Sequence, residues 1–534
     1  MERYKNLDTS FLHIAIPGNE GFISNTISLF KKFKPECIVI HSTISPGTTE
    51  KLQKKIPIPI IYSATRGVHK RINHDLKRYT KFFAISKNAP RKKWACSQFI
   101  KFMKNLTALS FDKKILLNIV NYNKKIIEEI LKKTLLIIGA GREQIPAYQI
   151  AKKMGLFVVS TDRNPKAPAF EFADKKLICS TRDANHTLET VLEFSKKNPI
   201  NGVMTIANDV PFTVALVANA LSLPGISLQS ARYASNKILM KNQFVKHRVP
   251  TPKSEILGNK KDFLKLVSKK SFPLILKPSD GRGGRGVLYL DKSVDLNWAW
   301  NFVFEISDNK ELMLEEYVAG DQLSVEGIFI KKKFHPIAFA DRNYENLAQT
   351  KPHIIEDGGV IPSKYEGKIL KKISTLIKKA SKSLNIDFGS VKADIVLSND
   401  EPMIIELAAR LSGNYLATHH IPMAYGTDLV SAVIKLSLGI GFDSSSVSSK
   451  HKKFLAVRYF FPKHGLIKNI QGIEKVKSKH FVKILEIFHD IGSVQPKIAG
   501  HVDRAGTIIC QGENYSNAIS NAEKSVNEIK FIVE

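Results

Sequence analysis

Short apolar runs alternate with amphipathic stretches along most of the chain, the pattern expected when strands and helices take turns. LHIAIP at 12–17 predicts a strand, residues 20–32 a helix, ECIVIHST at 36–43 a second strand and IPIIY at 58–62 a third, with SPGTT at 45–49 as a turn or helix start. Up to about residue 125 the chain is then polar and helical, apart from the apolar ILLNIV at 115–120. A new alternation begins near Lys132. TLLIIGAG (134–141), LFVVSTD (156–162), KKLICS (176–180) and GVMTIAND (202–209) read as strands, with helices to about 154 and around 186–198. That spacing predicts a small parallel sheet. From about 230 to 440 the pattern gives a helical segment (234–247) and then FPLILKPSDGRGGRGVLYL. LMLEEYV, SVEGIFI and KKFHPIAFADR follow as strands, then a long helix at 365–384, and finally VKADIVL and PMIIELAAR. The last segment, about 450–534, sets FLAVRYFF and AGTIIC beside a helix near 514–525. The fold class is α/β, with no internal repeat and no low-complexity tract.

Length and composition narrow the picture. With 534 residues, three to five domains are expected, and a hydrophobic share of 43% supplies large cores. The 81 Lys and Arg against 49 Asp and Glu give a formal charge of +32. The lysines are spread as pairs and short runs, a bias of composition and not a basic arm, so no specific nucleic-acid partner is expected. Four scattered cysteines (Cys37, Cys96, Cys179, Cys510) make neither a disulfide framework nor a metal cluster. No apolar stretch approaches 18 residues, and MERYKNLDTS is too polar for a signal peptide. These features lead us to expect a cytoplasmic protein without membrane insertion.

Three places carry chemistry. In Lys277-Pro278-Ser279-Asp280-Gly281-Arg282-Gly283-Gly284-Arg285-Gly286-Val287, a strand ends on a lysine and a loop with four glycines follows. Glycine lets backbone N–H groups close over phosphate, and the ammonium adds a point charge. The order is not that of a P-loop, and a tight glycine-rich hairpin is the plain alternative. In the strand pair 391–397 and 403–410, Lys392 and Asp394 share one face, and Glu406, Ala408 and Arg410 share another. Turned into one cleft, two carboxylates suit a hard cation and Arg410 a phosphate or carboxylate; turned outward, they make a solvated face of ion pairs. Third, Met313-Leu314-Glu315-Glu316-Tyr317-Val318 places two acids at the end of an apolar strand.

Taken in order, these motifs make residues 230–440 resemble an ATP-grasp domain, in the branch of carbamoyl-phosphate synthase, biotin carboxylase and the carboxylate–amine ligases. The resemblance implies three parts, 133–228, a pre-ATP-grasp α/β domain, 229–445, the α+β ATP-grasp catalytic domain, and 450–534, a C-terminal associated domain; residues 1–125 stand before them as a partial Rossmann-like domain. It implies ATP and Mg²⁺ (or Mn²⁺) as cofactors. Lys237 and Lys277 become the ATP-phosphate lysines, and Gly281, Gly283, Gly284 and Gly286 the loop over the phosphates. Glu315 then meets the adenine amino group, and Glu316 to Val318 edge the ring. Asp394 and Glu406 become the metal-binding acids, with Arg410, Lys277 and Lys392 as the catalytic cations. Two positions depart from the family: Gln322 stands where a ribose-binding glutamate is common, and Ala408 where a metal-ligand asparagine is usual.

The implied activity is ATP-dependent ligation of a small-molecule carboxylate to an amine through an acyl phosphate. The alternatives are a carboxylase or carbamoyl-phosphate-forming enzyme, or a catalytically weak ATP-binding protein, for which Ala408 is the main support. Dimers are common in that superfamily, so a homodimer stays open. His353, Glu356, Asp357 and residues 358–363 form a polar segment that approaches the second substrate in such ligases, where Glu356 suits an amino group. Asp162, Arg163, Asn208 and Asp209 lie at strand ends of the small domain, where α/β sheets present ligand contacts. Lys34–Thr49 and Tyr62–Gly67 resemble the second half of a nucleotide-sugar dehydrogenase NAD-binding domain, but the Gly-x-Gly-x-x-Gly turn is absent.

Overall fold

The structure, a computed structural model, describes residues 11–14, 22–40, 48–62, 84–85, 91, 95 and 133–534. The chain divides into two units, Met1–Glu129 and Ile130–Glu534. In the first, Phe11–Ile14, Cys37–Ile40 and Ile60–Tyr62 pair in parallel and Ala84–Ile85 adds an antiparallel edge. All four residues of Cys37–Ile40 are buried, as befits the middle strand of a parallel sheet. Phe22 from helix Phe22–Phe33 and Leu52 from Thr48–Gln53 pack on Ile38, Ile40 and Ile60. The expected turn at 45–47, the segment at 63–67 and the apolar run at 115–120 lie outside the described residues.

The second unit opens with a four-stranded parallel sheet in the order Lys175–Ile178, Phe157–Asp162, Thr134–Ile138, Gly202–Met204. The chain moves outward from Thr134–Ile138 and then returns to its other side. This is a topological switch point, so the carboxyl ends of Thr134–Ile138 and Gly202–Met204 open a crevice. Gly141, Asn208 and Asp209 follow those two ends.

Next comes a four-stranded antiparallel sheet, in the order Leu288–Leu290, Leu274–Pro278, Leu312–Glu316, Ser254–Leu257. Helices Lys260–Val267 and Leu296–Ile306 cover one face and bury Phe263, Trp300 and Val303 against Leu274, Leu276 and Leu314. The single helical segment expected at 234–247 is two helices, Leu228–Ser235 and Lys237–Lys246. Asn236 breaks them: its backbone is extended and its side chain caps the second helix at the Leu239 N–H.

The largest sheet has eight antiparallel strands, in the order Glu401–Ala408, Gly389–Ser398, Asp321–Ile330, Lys333–Asn343, Gly358–Ile361, Phe454–Phe460, Gly506–Gly512, Val482–Ile487. Phe454–Phe460 pairs directly with Gly358–Ile361, so one sheet runs across the boundary that the sequence suggests between 445 and 450. Helix Gly367–Ser383 covers one face and buries Ile373, Ile377 and Ala380 against Val391, Ala393 and Ile395. The residues between these, Lys392, Asp394 and Val396, border a cavity on the opposite face. Among the described residues no helix is long and apolar enough to cross a membrane.

Candidate functional site

The cavity, of about 750 Å³, lies where the small parallel sheet, the four-stranded sheet and the eight-stranded sheet meet. Its wall includes Lys237, Lys277, Gly281, Gly283, Gly284, Glu315, Glu316, Val318, Gln322, Lys392, Asp394, Glu406 and Arg410. Gly286 is the exception among the loop glycines. A Cβ there would sit 3.3 Å from Ile306 and Pro278, so Gly286 packs beneath the loop and does not border the cavity. Gly283 and Gly284 adopt φ of +58° and +73°, the left-handed region that favours glycine, so the loop can turn its backbone inward.

One end of the cavity is an apolar slot edged by Ile275, Val287, Tyr317, Val318, Val396 and Ile405. Beneath it lies a buried charge cluster. The Glu315 carboxylate, 4% exposed, is 2.6 Å from the Lys241 ammonium and 2.5 Å from that of Lys277. Both Glu315 oxygens therefore face lysines. Burial lowers Lys241 to about 8 against the pull of Glu315, with Lys277 adding to the depression. Lys241 lies one helical turn after Lys237 and thus on its face. Sequence reasoning missed it, although the i, i+4 lysine pair was legible. Lys237 begins its helix; its N–H donates to the Ser279 carbonyl at 2.9 Å and its ammonium to the Gly281 carbonyl at 2.7 Å. It thereby ties the helix to the glycine loop and also lies 3.1 Å from Glu406.

The other end is dense in charge. Asp394 and Glu406 stand directly opposite each other on neighbouring strands. A bulge makes this so: the register shifts after Asp394, leaving Ile405 unpaired, so Glu406 turns to the cavity beside it while Ile404 and Leu407 enter the core. Asp394 accepts from Ser324 at 2.9 Å, pairs with Lys392, and lies 3.2 Å from Arg342. Burial alone would raise its carboxyl, but Arg342 and Lys392 outweigh that and hold it well below the usual range. Arg342 also donates two hydrogen bonds, from Nε and Nη2, to Glu356 Oε2. Behind them Arg504, 1% exposed, stacks on Tyr459 at 3.7 Å and donates to the Glu356 carbonyl at 2.5 Å. Arg342, Arg504 and His501 were not foreseen, because nothing local in their sequence marks them.

Asp209 and Asn208 border the same end, whereas Asp162 is occupied with the Ala140 and Asn164 N–H groups. His353 packs edge-on against Trp298 and Phe302 and lies off the cavity wall, and Asp357 accepts from the Asn346 N–H at 2.6 Å. Glu356 is the member of that polar segment whose carboxylate reaches the charged end.

Comparison with known proteins places this architecture. Residues 234–414 match the ATP-grasp domain family, residues 135–220 the PylC-like N-terminal domain, and residues 458–534 the L-amino acid ligase C-terminal domain 2. The chain belongs to the ATP-grasp superfamily, in its carboxylate–amine ligase branch. This ATP-grasp ligase is 25% identical over 327 residues to alanine–anticapsin ligase of Bacillus subtilis, covering 55% of this chain and 67% of that one. Formate-dependent phosphoribosylglycinamide formyltransferase of Prochlorococcus marinus is 22% identical over 418 residues, with 75% and 98% covered. Among solved structures, L-amino acid ligase from Bacillus licheniformis superposes with a TM-score of 0.64 at 20% identity, covering 75% of this chain and 99% of that one. Phosphoribosylglycinamide synthetase from Anaerococcus prevotii gives 0.59 at 22%, with 75% and 100% covered. The resemblance read from the strand–lysine–glycine loop and the paired strands thus holds for the ATP-grasp ligase, as does its mixed α/β architecture.

The donors also bear on a metal. Among the described residues no group of three or more His, Cys, Asp and Glu is arranged to hold an ion. Asp394 and Glu406 do face each other at the cavity wall, and Ala408 beside them has nothing to donate. Two carboxylates fit a hard cation whose other ligands are phosphate oxygens and water.

Proposed function

We propose that the chain activates a small-molecule carboxylate with ATP as an acyl phosphate and then joins it to an amine. The products are an amide, ADP and phosphate. The observation that carries this reading is the convergence of Lys277, Lys392, Asp394, Glu406 and Arg410, from three strands and a strand exit, on one cavity roofed by the Gly281–Gly284 loop. The apolar slot receives the base. Lys237 and Lys277 neutralise the phosphates, and Arg410 with Lys392 faces the phosphoryl group as its charge spreads. Asp394 and Glu406 would hold Mg²⁺, or Mn²⁺, which would supply positive charge to neutralise the phosphates. The carboxylate and amine enter at the charged end, where Glu356 Oε1 has no protein partner among the described residues and suits an ammonium. Closing the glycine loop keeps water from the acyl phosphate.

The test is an ADP-release screen of the full chain across carboxylate–amine pairs, with Lys277→Ala as control. ADP release that needs both partners supports the ligase. Release that instead follows bicarbonate identifies a carboxylase, and ATP binding without turnover on any pair identifies a binding protein.

A further inference from the structure

We propose that Asp209, in the small parallel domain, is a positioning residue that sets the Arg410 guanidinium toward the phosphoryl group. This rests on the role given to Arg410 above. Arg410 lies just beyond strand Glu401–Ala408, outside the sheet ladder that would otherwise orient it. Its Nε donates to Asp209 Oδ1 at 2.5 Å and its Nη1 to the Leu411 carbonyl at 3.1 Å. Among the described residues Nη2 has no hydrogen-bond partner, so the guanidinium is held at Nε and Nη1 and leaves Nη2 for the cavity that Arg410 borders. A planar, rigid group held at two of its nitrogens is pre-organised at the third.

The small domain delivers Asp209 by a splice onto the strand exit. Beyond Gly202–Met204, Ile206 bridges Leu411 in parallel, and the Ala207 N–H donates to the Leu411 carbonyl at 3.1 Å. Ala207 then turns the chain at φ +51°, bringing Asp209 beside Arg410. The carboxylate stays ionised at any working pH, because Arg410 offsets the cost of burial and holds it near 2. Plain domain adhesion is a poor account of the pair. The splice keeps the Ala207–Leu411 bond and the Glu143 carboxylate on the Asn414 N–H (2.9 Å) without it.

The experiment compares Asp209→Ala, Asp209→Asn, Arg410→Ala and the Asp209→Ala/Arg410→Ala double variant as full chains. Turnover is measured with the pair found by ADP release, and ATP affinity separately with a fluorescent ATP analogue. Asp209→Ala is expected to lower kcat about 100-fold, the scale of a 1 Å misplacement, with ATP affinity nearly unchanged. Asp209→Asn should recover part of the loss, because its amide oxygen still accepts. The double variant should be no slower than Arg410→Ala. A crystal structure of Asp209→Ala should show the guanidinium swung from its present place. Wild-type kcat in Asp209→Ala, additive losses in the double variant, or an unmoved guanidinium would overturn the proposal. If the wild type releases ADP with no pair, the ligase reading fails by itself, and the guanidinium's position in the Asp209→Ala crystal still decides whether Asp209 positions it.

Discussion

Replacing Glu315 by Gln removes the anion between two buried cations. Lys241 and Lys277 side chains are 3% and 5% exposed, and each is within 2.6 Å of the carboxylate. The cluster carries a net +1 when all three groups are ionised and +2 after the exchange. Breaking a buried ion pair from one side costs on the order of 3–5 kcal/mol, because the desolvated partner is left uncompensated. The sign with pH follows from Lys241. Its folded value of about 8 lies below the roughly 10.4 of an unfolded lysine. Between those values the unfolded chain binds more protons, so stability rises with pH. Without Glu315 the main attraction raising Lys241 is lost, leaving the weaker pull of Glu406, and neutralising a buried lysine becomes the main cost at pH 7. That cost fades toward pH 10, so the gap to wild type should narrow as the solution becomes alkaline. The assay is urea unfolding followed by tryptophan fluorescence in a Trp94→Phe background. The remaining tryptophans, Trp298 and Trp300, ride on helix Leu296–Ile306, and Trp300 packs in the same cluster as Leu314, next to Glu315. A loss below about 1 kcal/mol at pH 7, or a gap that does not change with pH, would refute the reasoning.

Glu326 gives the opposite pH signature. Burial raises its carboxyl to about 7, against weaker help to the ionised form from Ser412, so the stability tied to its proton is full below about pH 4 and lost as pH rises through 7. Glu326→Gln should be more stable than wild type by about 3 kcal/mol at pH 8 and equal to it at pH 4, measured by denaturant titration. Ala408→Asn restores an oxygen donor beside Asp394 and Glu406. The Mg²⁺ concentration for half-maximal ADP release should fall roughly tenfold, the scale on which single groups around an ion tune affinity. Gly284→Ala forces a left-handed alanine (φ +73°) and sets a Cβ 3.2 Å from His501, so turnover should drop. Gly367→Ala, equally left-handed (φ +54°) but with open space around it, should leave turnover intact.

What the sequence made legible is chemistry that is contiguous along the chain. Leu274–Pro278, Lys277 at its end and the glycines after it form one local unit that residue order alone makes visible. Period-two reading also separates Lys392 and Asp394 from Val391, Ala393 and Ile395, because a strand alternates its faces wherever it lies. Reading Glu406 onto the cavity succeeds for a reason the pattern does not contain. Strict alternation from the core residue Ile404 would bury Glu406, and the unpaired Ile405 corrects it. The break at Asn236 is legible only afterwards, since a capping asparagine inside a helical stretch looks like any polar position.

Convergent chemistry stayed hidden for a different reason. Glu315 takes its partners from 38 and 74 positions earlier, and Arg504 reaches Glu356 and Asn414 across separations of 148 and 90. Those distances close only through sheet order, which hydrophobic patterning does not encode. The order also divides the labour within the site. Most of the apolar slot, with Lys237 and Lys277, comes from residues 237 to 318 and is completed by Val396 and Ile405, while Glu356, Tyr459, His501 and Arg504 gather at the charged end because Phe454–Phe460 adds to the sheet beside Gly358–Ile361. Substitutions that alter which carboxylate or amine is accepted should therefore fall at positions 354–361 and 457–504, and should leave ATP affinity largely alone. A screen in which such variants changed ATP affinity as strongly as substrate choice would mean that the two ends of the cavity are coupled more tightly than this division of the sheet implies.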